Sequence, residues 1–130
     1  QVELLLDRQR PGDGQRSVGL DVRVRTLDAA ADDLAISRLD LLKIDVEGQE
    51  PELFLGARRT IERFRPKICF ELSPAWYIDR PEKTREAFGW LERTGYQFSV
   101  ITSSGLVPAT LEPLLRAART NQQHNLVAMP

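Results

Sequence analysis

Cysteine and histidine are scarce in this sequence. Each occurs once in 130 residues, as Cys69 and His124. A single cysteine excludes an intramolecular disulfide and favours a reducing, cytoplasmic setting; because Cys69 lies in an apolar run, we interpret it as a small buried residue rather than a nucleophile. A single histidine argues against a histidine-based metal cluster and against a Ser-His-Asp triad, although His124 alone could act as a base.

Excess charge of one sign, long apolar runs and a glycine-rich phosphate loop are also missing. The formal net charge is −1 and the basic residues are spread along the chain, so we expect neither nucleic acid nor a membrane as a partner. No apolar run approaches the ~20 residues of a membrane span, and residues 1–7 have the pattern of a strand rather than of a signal peptide. Gly12 and Gly14 match neither the P-loop nor the dinucleotide fingerprint, so the residues themselves indicate no cofactor site.

The order of apolar patterns predicts an α/β fold in one unit. Near-continuous apolar runs, typical of strands buried on both faces, occupy residues 39–46 and 67–72, and further strands are predicted at residues 2–6, 18–26, 96–102 and 125–129. Helical spacing predicts helices at residues 29–36, 51–64, 81–94 and 111–118. Asp28 is expected to cap the first helix. Because strands that alternate with helices imply crossover connections, we expect a largely parallel sheet.

Acidic side chains follow two of the predicted strands. Asp45 and Glu47 close the strand at residues 39–46, Glu71 closes the strand at residues 67–72, and Glu50 begins the next helix. Ligands of open α/β sheets bind beyond the carboxyl ends of the strands, so these acids would face one crevice if the two strands are neighbours. They could accept a proton from a hydroxyl, hold a divalent cation, or bind sugar or cofactor hydroxyls. Alternatively, Asp45 and Glu47 cap the helix and face water.

Two further features allow both a functional and a structural interpretation. Trp76 and Tyr77, in the loop after Glu71, either line a substrate pocket or pack on the next helix. Lys43 lies inside a strand predicted to be buried, so it needs a partner or a route to solvent, and we favour a nearby acid in a structural role. Arginines also form a basic face of the predicted helix, at positions Arg58, Arg59, Arg63 and Arg65. This face either binds phosphate or faces solvent, and we favour the second interpretation.

Four segments in order resemble the FkbM-type methyltransferases. The sequence has VRVRTLD at residues 22–28, DLLKIDVEGQE at 40–50, LGA at 55–57 and PKICFE at 66–71. The closing HNLVA at residues 124–128 is similar to the last strand of that family. Four linked segments are far more specific than any one of them, and the similarity extends over nearly all of the chain.

This resemblance implies the C-terminal portion of a Rossmann-like class I methyltransferase fold, with a mostly parallel sheet and an antiparallel last strand. It implies S-adenosylmethionine as methyl donor and O-methylation of a sugar or natural-product hydroxyl. It makes Asp45 and Glu47 candidate catalytic residues and brings Asp45 beside the donor. Glu50, Glu71, Trp76 and Tyr77 become candidate substrate-binding residues, and the resemblance assigns no metal ligands.

The family's glycine-rich loop and second-strand acid, which hold the donor, have no counterpart in this sequence. We therefore expect residues 1–130 to be a single partial methyltransferase domain whose donor-binding half would precede Gln1. The alternatives are a truncated, non-catalytic α/β fragment or an interaction module that pairs with another chain. A metal-dependent α/β enzyme is a third, less favoured interpretation.

Overall fold

A computed structural model describes residues 24–116 and 123–130 of the chain. Within these residues the helices are Leu27–Asp33 (α1), Glu50–Leu55 (α2), Arg58–Phe64 (α3), Pro81–Arg93 (α4) and Leu111–Arg116 (α5). The strands are Leu41–Ile44 (β1), Lys67–Leu72 (β2), Gln97–Thr102 (β3), Gly105–Ala109 (β4) and His124–Met129 (β5), and a 3₁₀ helix spans Pro74–Tyr77. The prediction of an α/β protein is confirmed.

The five strands form one mixed sheet in the order β1-β2-β5-β3-β4. β1 and β2 are parallel, whereas β5 runs antiparallel to both of its neighbours, and β3 and β4 form an antiparallel hairpin. The antiparallel last strand is therefore confirmed, but within the described residues the sheet is not mostly parallel. One neighbouring pair of four in the described sheet is parallel. The expectation did not foresee that β5 inserts between β2 and β3, and it did not include β4.

The hydrophobic core lies on one face of the sheet. Phe70 of β2 meets the aromatic side chains of the helices there, with the Phe54 and Phe70 rings 5.3 Å apart and the Phe70 and Phe88 rings stacked at 5.9 Å. Phe98 of β3 packs edge-on against Phe70. Edge-to-face and offset pairs of this kind add to the free energy gained by burying the rings. α2 and α4 are thereby fixed over β1 and β2, which positions the segments that follow those two strands.

The predicted helix at residues 51–64 is in fact two helices, α2 and α3. It is interrupted at Gly56, the residue after α2, because the chain approaches Thr26 closely there. A Cβ atom added at Gly56 would lie 3.1 Å from Cγ2 of Thr26, and the Gly56 carbonyl accepts the N–H of Asp28 at 3.0 Å. The apolar period alone gave no sign of this contact.

The capping prediction for α1 was also wrong. Thr26 caps α1, since its hydroxyl accepts the N–H of Ala29 at 3.1 Å. The Asp28 carboxylate instead accepts the N–H groups of Arg59 and Thr60, at 3.2 and 2.8 Å. Asp28 thus satisfies the free N–H groups at the start of α3, whose own preceding residue, Ala57, supplies no side-chain cap.

β1 is the edge strand of the described sheet rather than a strand buried on both faces. Only Ile44 of its four residues is buried, and Leu41 is 56% exposed. Lys43, which was expected inside the protein, projects into solvent and pairs with Asp45 at 3.4 Å. The strand is not buried as expected, because Lys43 lies on the face of the sheet opposite Ile44 and the core, but the acidic partner expected for Lys43 is confirmed.

Some predicted elements fall outside the described residues. The strand at residues 2–6 and the loop with Gly12 and Gly14 lie wholly outside them. The strand at residues 18–26 lies mostly outside them, and residues 24–26 are not in a strand. The longest helix in the described ranges, α4, has 13 residues against the ~20 needed to span a bilayer, and none of the helices described qualifies as a membrane span.

Candidate functional site

Asp45 and Glu71 lie at the same edge of the sheet. Ile44 and Phe70 are partners in the parallel pairing of β1 and β2. Asp45 directly follows Ile44, and Glu71 directly follows Phe70. The condition for the acids to share one edge, that the two acid-ended strands are neighbours, is therefore met. Asp45 is 62% exposed, and within the described residues its side chain contacts only Lys43, so its carboxylate is accessible from solvent.

β5 adds polar residues to this edge. Because β5 is antiparallel to β2, its first residues lie beside the last residues of β2, with Asn125 opposite Glu71 and His124 opposite Leu72. Glu71 is half-buried and accepts the hydroxyl of Ser73 at 2.9 Å. Asn125 was not recognised as a site candidate, since only the strand order brings it next to Glu71.

Glu47 lies in a turn with a left-handed backbone. Gln49 donates its N–H to the Val46 carbonyl at 3.2 Å, and we refer to this segment as the turn 46–49. Glu47 has a φ of 46° and Gly48 a φ of 92°. The left-handed region costs a residue such as Glu47 about 1–3 kcal/mol, which surrounding contacts must offset. The Glu47 side chain is exposed at the carboxyl edge.

Glu50 and Tyr77 contact each other in the interior. The Tyr77 hydroxyl donates to Oε2 of Glu50 at 2.8 Å, and Gly48 donates its N–H to Oε1 at 3.3 Å. Glu50 is 2% exposed and Tyr77 is 3% exposed. Burial, and then the neighbouring Glu50 carboxylate, raises the pKa of Tyr77 above its ordinary range. Both side chains were predicted to bind substrate; here they bind each other and the turn 46–49.

Trp76 packs against the turn 46–49. A Cβ atom added at Gly48 would lie 2.7 Å from Cε3 and 2.9 Å from Cβ of Trp76. Glycine at position 48 therefore serves two needs, the positive φ and the close approach of an indole ring. Trp76 itself is half-buried, so part of its ring faces solvent beside the turn.

Arg80 was not recognised from the sequence, yet it contacts three segments around the site. Its guanidinium donates to the Gly48 carbonyl at 2.7 Å, to the Glu52 carboxylate at 2.6 Å and to the Trp76 carbonyl at 3.3 Å. Arg80 directly precedes Pro81, the first residue of α4, which keeps Arg80 out of the helical conformation. The only sequence signal was this Arg-Pro pair.

The arginines of the predicted basic face mostly contact the protein itself. Arg58 pairs with Glu86 at 2.8 Å and lies 5.5 Å from the Trp90 ring centre. Arg65 donates to the Thr94 carbonyl at 2.6 Å and lies over Tyr96. These contacts do not support a phosphate-binding site at this basic face.

The candidate site offers neither a metal cluster nor a glycine cradle within the described residues. No group of three or more His, Cys, Asp or Glu side chains in residues 24–116 and 123–130 is arranged to hold a metal ion. The close approaches at Gly48 and Gly56 are taken up by protein side chains, Trp76 and Thr26. Asp45 and Glu47 are exposed acids at this edge of the sheet.

Two acids at the carboxyl edge of adjacent parallel strands define an α/β protein with a candidate site at that edge. The family model described as the methyltransferase FkbM domain matches residues 4–98. Since this match covers more than half of the 130 residues, the chain belongs to that family, and the resemblance deduced from the four segments is confirmed. Among curated proteins and among solved structures, no significant match was found.

Membership of a methyltransferase family indicates methyl transfer, with S-adenosylmethionine as the general donor of such enzymes. The five-stranded mixed sheet with its helices is compatible with a class I methyltransferase fold. The match ends at residue 98, within β3, so the proposed similarity of residues 124–128 to the family's last strand stays a prediction.

Proposed function

We propose that this chain is the acceptor-binding part of an S-adenosylmethionine-dependent O-methyltransferase with a Rossmann-like arrangement. The observation that supports this most is the coincidence of the family match with the acid-lined edge of β1 and β2. The strand order supports the Rossmann-like assignment, because an antiparallel strand sits between two strands that run in the same direction.

Asp45 is the proposed general base. Methyl transfer to oxygen is a displacement in which the enzyme chiefly aligns the two reactants, and the acceptor hydroxyl must lose its proton. The Asp45 carboxylate is exposed at the carboxyl edge, and its one described partner is the solvent-exposed Lys43, so it is accessible to a hydroxyl. When bound, S-adenosylmethionine supplies the electrophilic methyl group, and an exposed carboxylate at position 45 suits a hydrogen bond to its polar groups.

Glu47, Glu71 and Trp76 are the proposed contacts to the acceptor. Carboxylates beside a partly exposed aromatic ring suit a saccharide or another polyhydroxylated small molecule, whose hydroxyl groups donate to the acids while its apolar face lies on the ring. Glu50 and Tyr77, first predicted to bind substrate, are now proposed to support the turn 46–49, since each already has a buried partner.

Donor binding is proposed to need residues that this chain does not contain. The sequence has no glycine-rich phosphate loop motif, and glycines 48 and 56 pack against protein side chains. The cytoplasmic setting indicated by the single cysteine is part of the same proposal. The competing proposal is a non-catalytic fragment or interaction module, for which the 56% exposed Leu41 on edge strand β1 is the relevant observation.

The experiment is methyl transfer from radiolabelled S-adenosylmethionine to a panel of saccharides, catalysed by the full-length gene product. We expect label in at least one hydroxyl acceptor, with no loss when EDTA is added. Loss of transfer on chelation would favour the metal-dependent alternative. Calorimetry of the 130-residue chain with the same donor is the companion measurement, in which clear donor binding would argue against a non-catalytic remnant. Failure of the full-length gene product to methylate any acceptor would favour the non-catalytic module.

A further inference from the structure

Arg80 joins the two loops that border the candidate site. One nitrogen, Nη2, donates to the Gly48 carbonyl in the turn after β1 and to the Trp76 carbonyl in the loop after β2. The other nitrogen, Nη1, donates to Oε1 of Glu52 in α2. The Arg80 side chain is 30% exposed and that of Glu52 is 28% exposed, so these contacts are largely sheltered from water.

The turn 46–49 depends on such contacts because its backbone is unfavourable by itself. Glu47 and Gly48 both have positive φ angles. The Arg80 guanidinium is charged, and a charged donor makes a shorter and stronger hydrogen bond to a carbonyl than a neutral one does. The bond to Gly48, at 2.7 Å, therefore opposes relaxation of the turn toward an ordinary conformation.

We propose that Arg80 is a positioning residue for methyl transfer. Its Nη2 donates to both the Gly48 carbonyl and the Trp76 carbonyl. Arg80 thereby fixes the turn 46–49 relative to the segment after β2 that carries Trp76. Arg80 has no proposed contact with the substrate. Its effect on the reaction rests on the proposed function, but its effect on the turn does not.

Arginine suits this role because its planar guanidinium offers several donors in a fixed geometry. A lysine at the same position has a single nitrogen at the end of a flexible chain, so it cannot reproduce the whole set of bonds. Lys83 provides an internal comparison: it pairs with the same Glu52 oxygen as Arg80, at 3.2 Å, but makes no described contact with the turn 46–49.

The test compares Arg80→Ala and Arg80→Lys with the matched control Lys83→Ala. Amide hydrogen exchange at Gln49, whose N–H closes the turn, is measured by NMR in each variant. We expect Arg80→Ala to speed exchange about tenfold or more, corresponding to one charge-assisted hydrogen bond. Arg80→Lys should give an intermediate value, and Lys83→Ala the wild-type value. If Arg80→Ala does not fold, Arg80→Lys against Lys83→Ala makes the same comparison.

The kinetic readout separates positioning from binding. In the full-length gene product, Arg80→Ala should lower kcat while KM for the acceptor stays near the wild-type value, with partial rescue in Arg80→Lys. Unchanged Gln49 exchange in both Arg80 variants would overturn the proposal, as would equal acceleration in Lys83→Ala. Faster exchange in a protein whose wild type transfers no methyl group would refute the proposed function and leave the role of Arg80 in the turn supported.

Discussion

The carboxylate of Asp28 accepts both the backbone N–H and the hydroxyl of Thr60, at 2.8 and 2.7 Å, although the two residues are 32 positions apart. This contact joins the TLD end of the first family segment to the start of α3, just after the LGA segment. Together with the close approach of Thr26 to Gly56, it gives both segments a structural explanation. Neither segment needs a catalytic role to account for its sequence.

Asp28→Ala should destabilise the chain by about 1–2 kcal/mol, because the substitution leaves the N-terminus of α3 without a cap. Urea unfolding followed by circular dichroism measures the change. Asp33→Ala is the matched control. Asp33 is the last residue of α1, the helix that contains Asp28, and among the described residues it pairs only with exposed Arg25. Equal losses in the two variants would show that the Asp28 contacts contribute no more than a surface ion pair.

Gly48→Ala should cost more stability than Gly105→Ala. Both glycines have positive φ, 92° and 120°, so alanine strains the backbone at either position. Only at position 48 does the new Cβ also meet Trp76, whereas nothing lies within 4 Å of a Cβ at position 105. The difference in urea midpoint between the two variants isolates the contact with Trp76. Indistinguishable midpoints would contradict the packing described for the turn 46–49.

Tyr77→Phe should cost about 1–3 kcal/mol at neutral pH, because Oε2 of buried Glu50 loses its donor. This cost should shrink at alkaline pH. The pKa of Tyr77 is raised in the folded protein, so its proton adds stability in full below the ordinary value of 10.0, and this stability is lost as the pH rises above that value. Urea unfolding of both proteins from about pH 8 to about pH 11 tests this. A pH-independent difference would contradict the buried pair.

Local sequence patterns correctly predicted those elements that are determined by residues close together in the sequence. The strand ending at Leu72, the helix opened by Pro81 and the carboxyl-edge position of Asp45 all follow from apolar period, proline and strand ends. These features depend on residues close together in the sequence. They were therefore accessible without knowledge of the strand order.

Other features depended on contacts between distant segments. Strand β4 was not predicted; its Pro108 is tolerated because β4 is an edge strand of the described sheet. Asn125 became a neighbour of Glu71 only through the insertion of β5, and the buried positions of Glu50 and Tyr77 follow from a contact across 27 residues. Its position after Glu47 and the family resemblance made Glu50 a site candidate, whereas the contact with Tyr77 makes it part of the interior.

The most direct test of the account compares Asp45→Asn with Asp40→Asn in the full-length gene product. The two acids flank β1 at opposite ends and are similarly exposed, at 62% and 68%, and each pairs with one basic residue. We predict that Asp45→Asn lowers the rate of labelled methyl transfer by ~10²–10⁴-fold, as loss of a general base does, while Asp40→Asn retains the wild-type rate. Wild-type transfer by Asp45→Asn would contradict the central claim that this edge of the sheet performs the chemistry through Asp45.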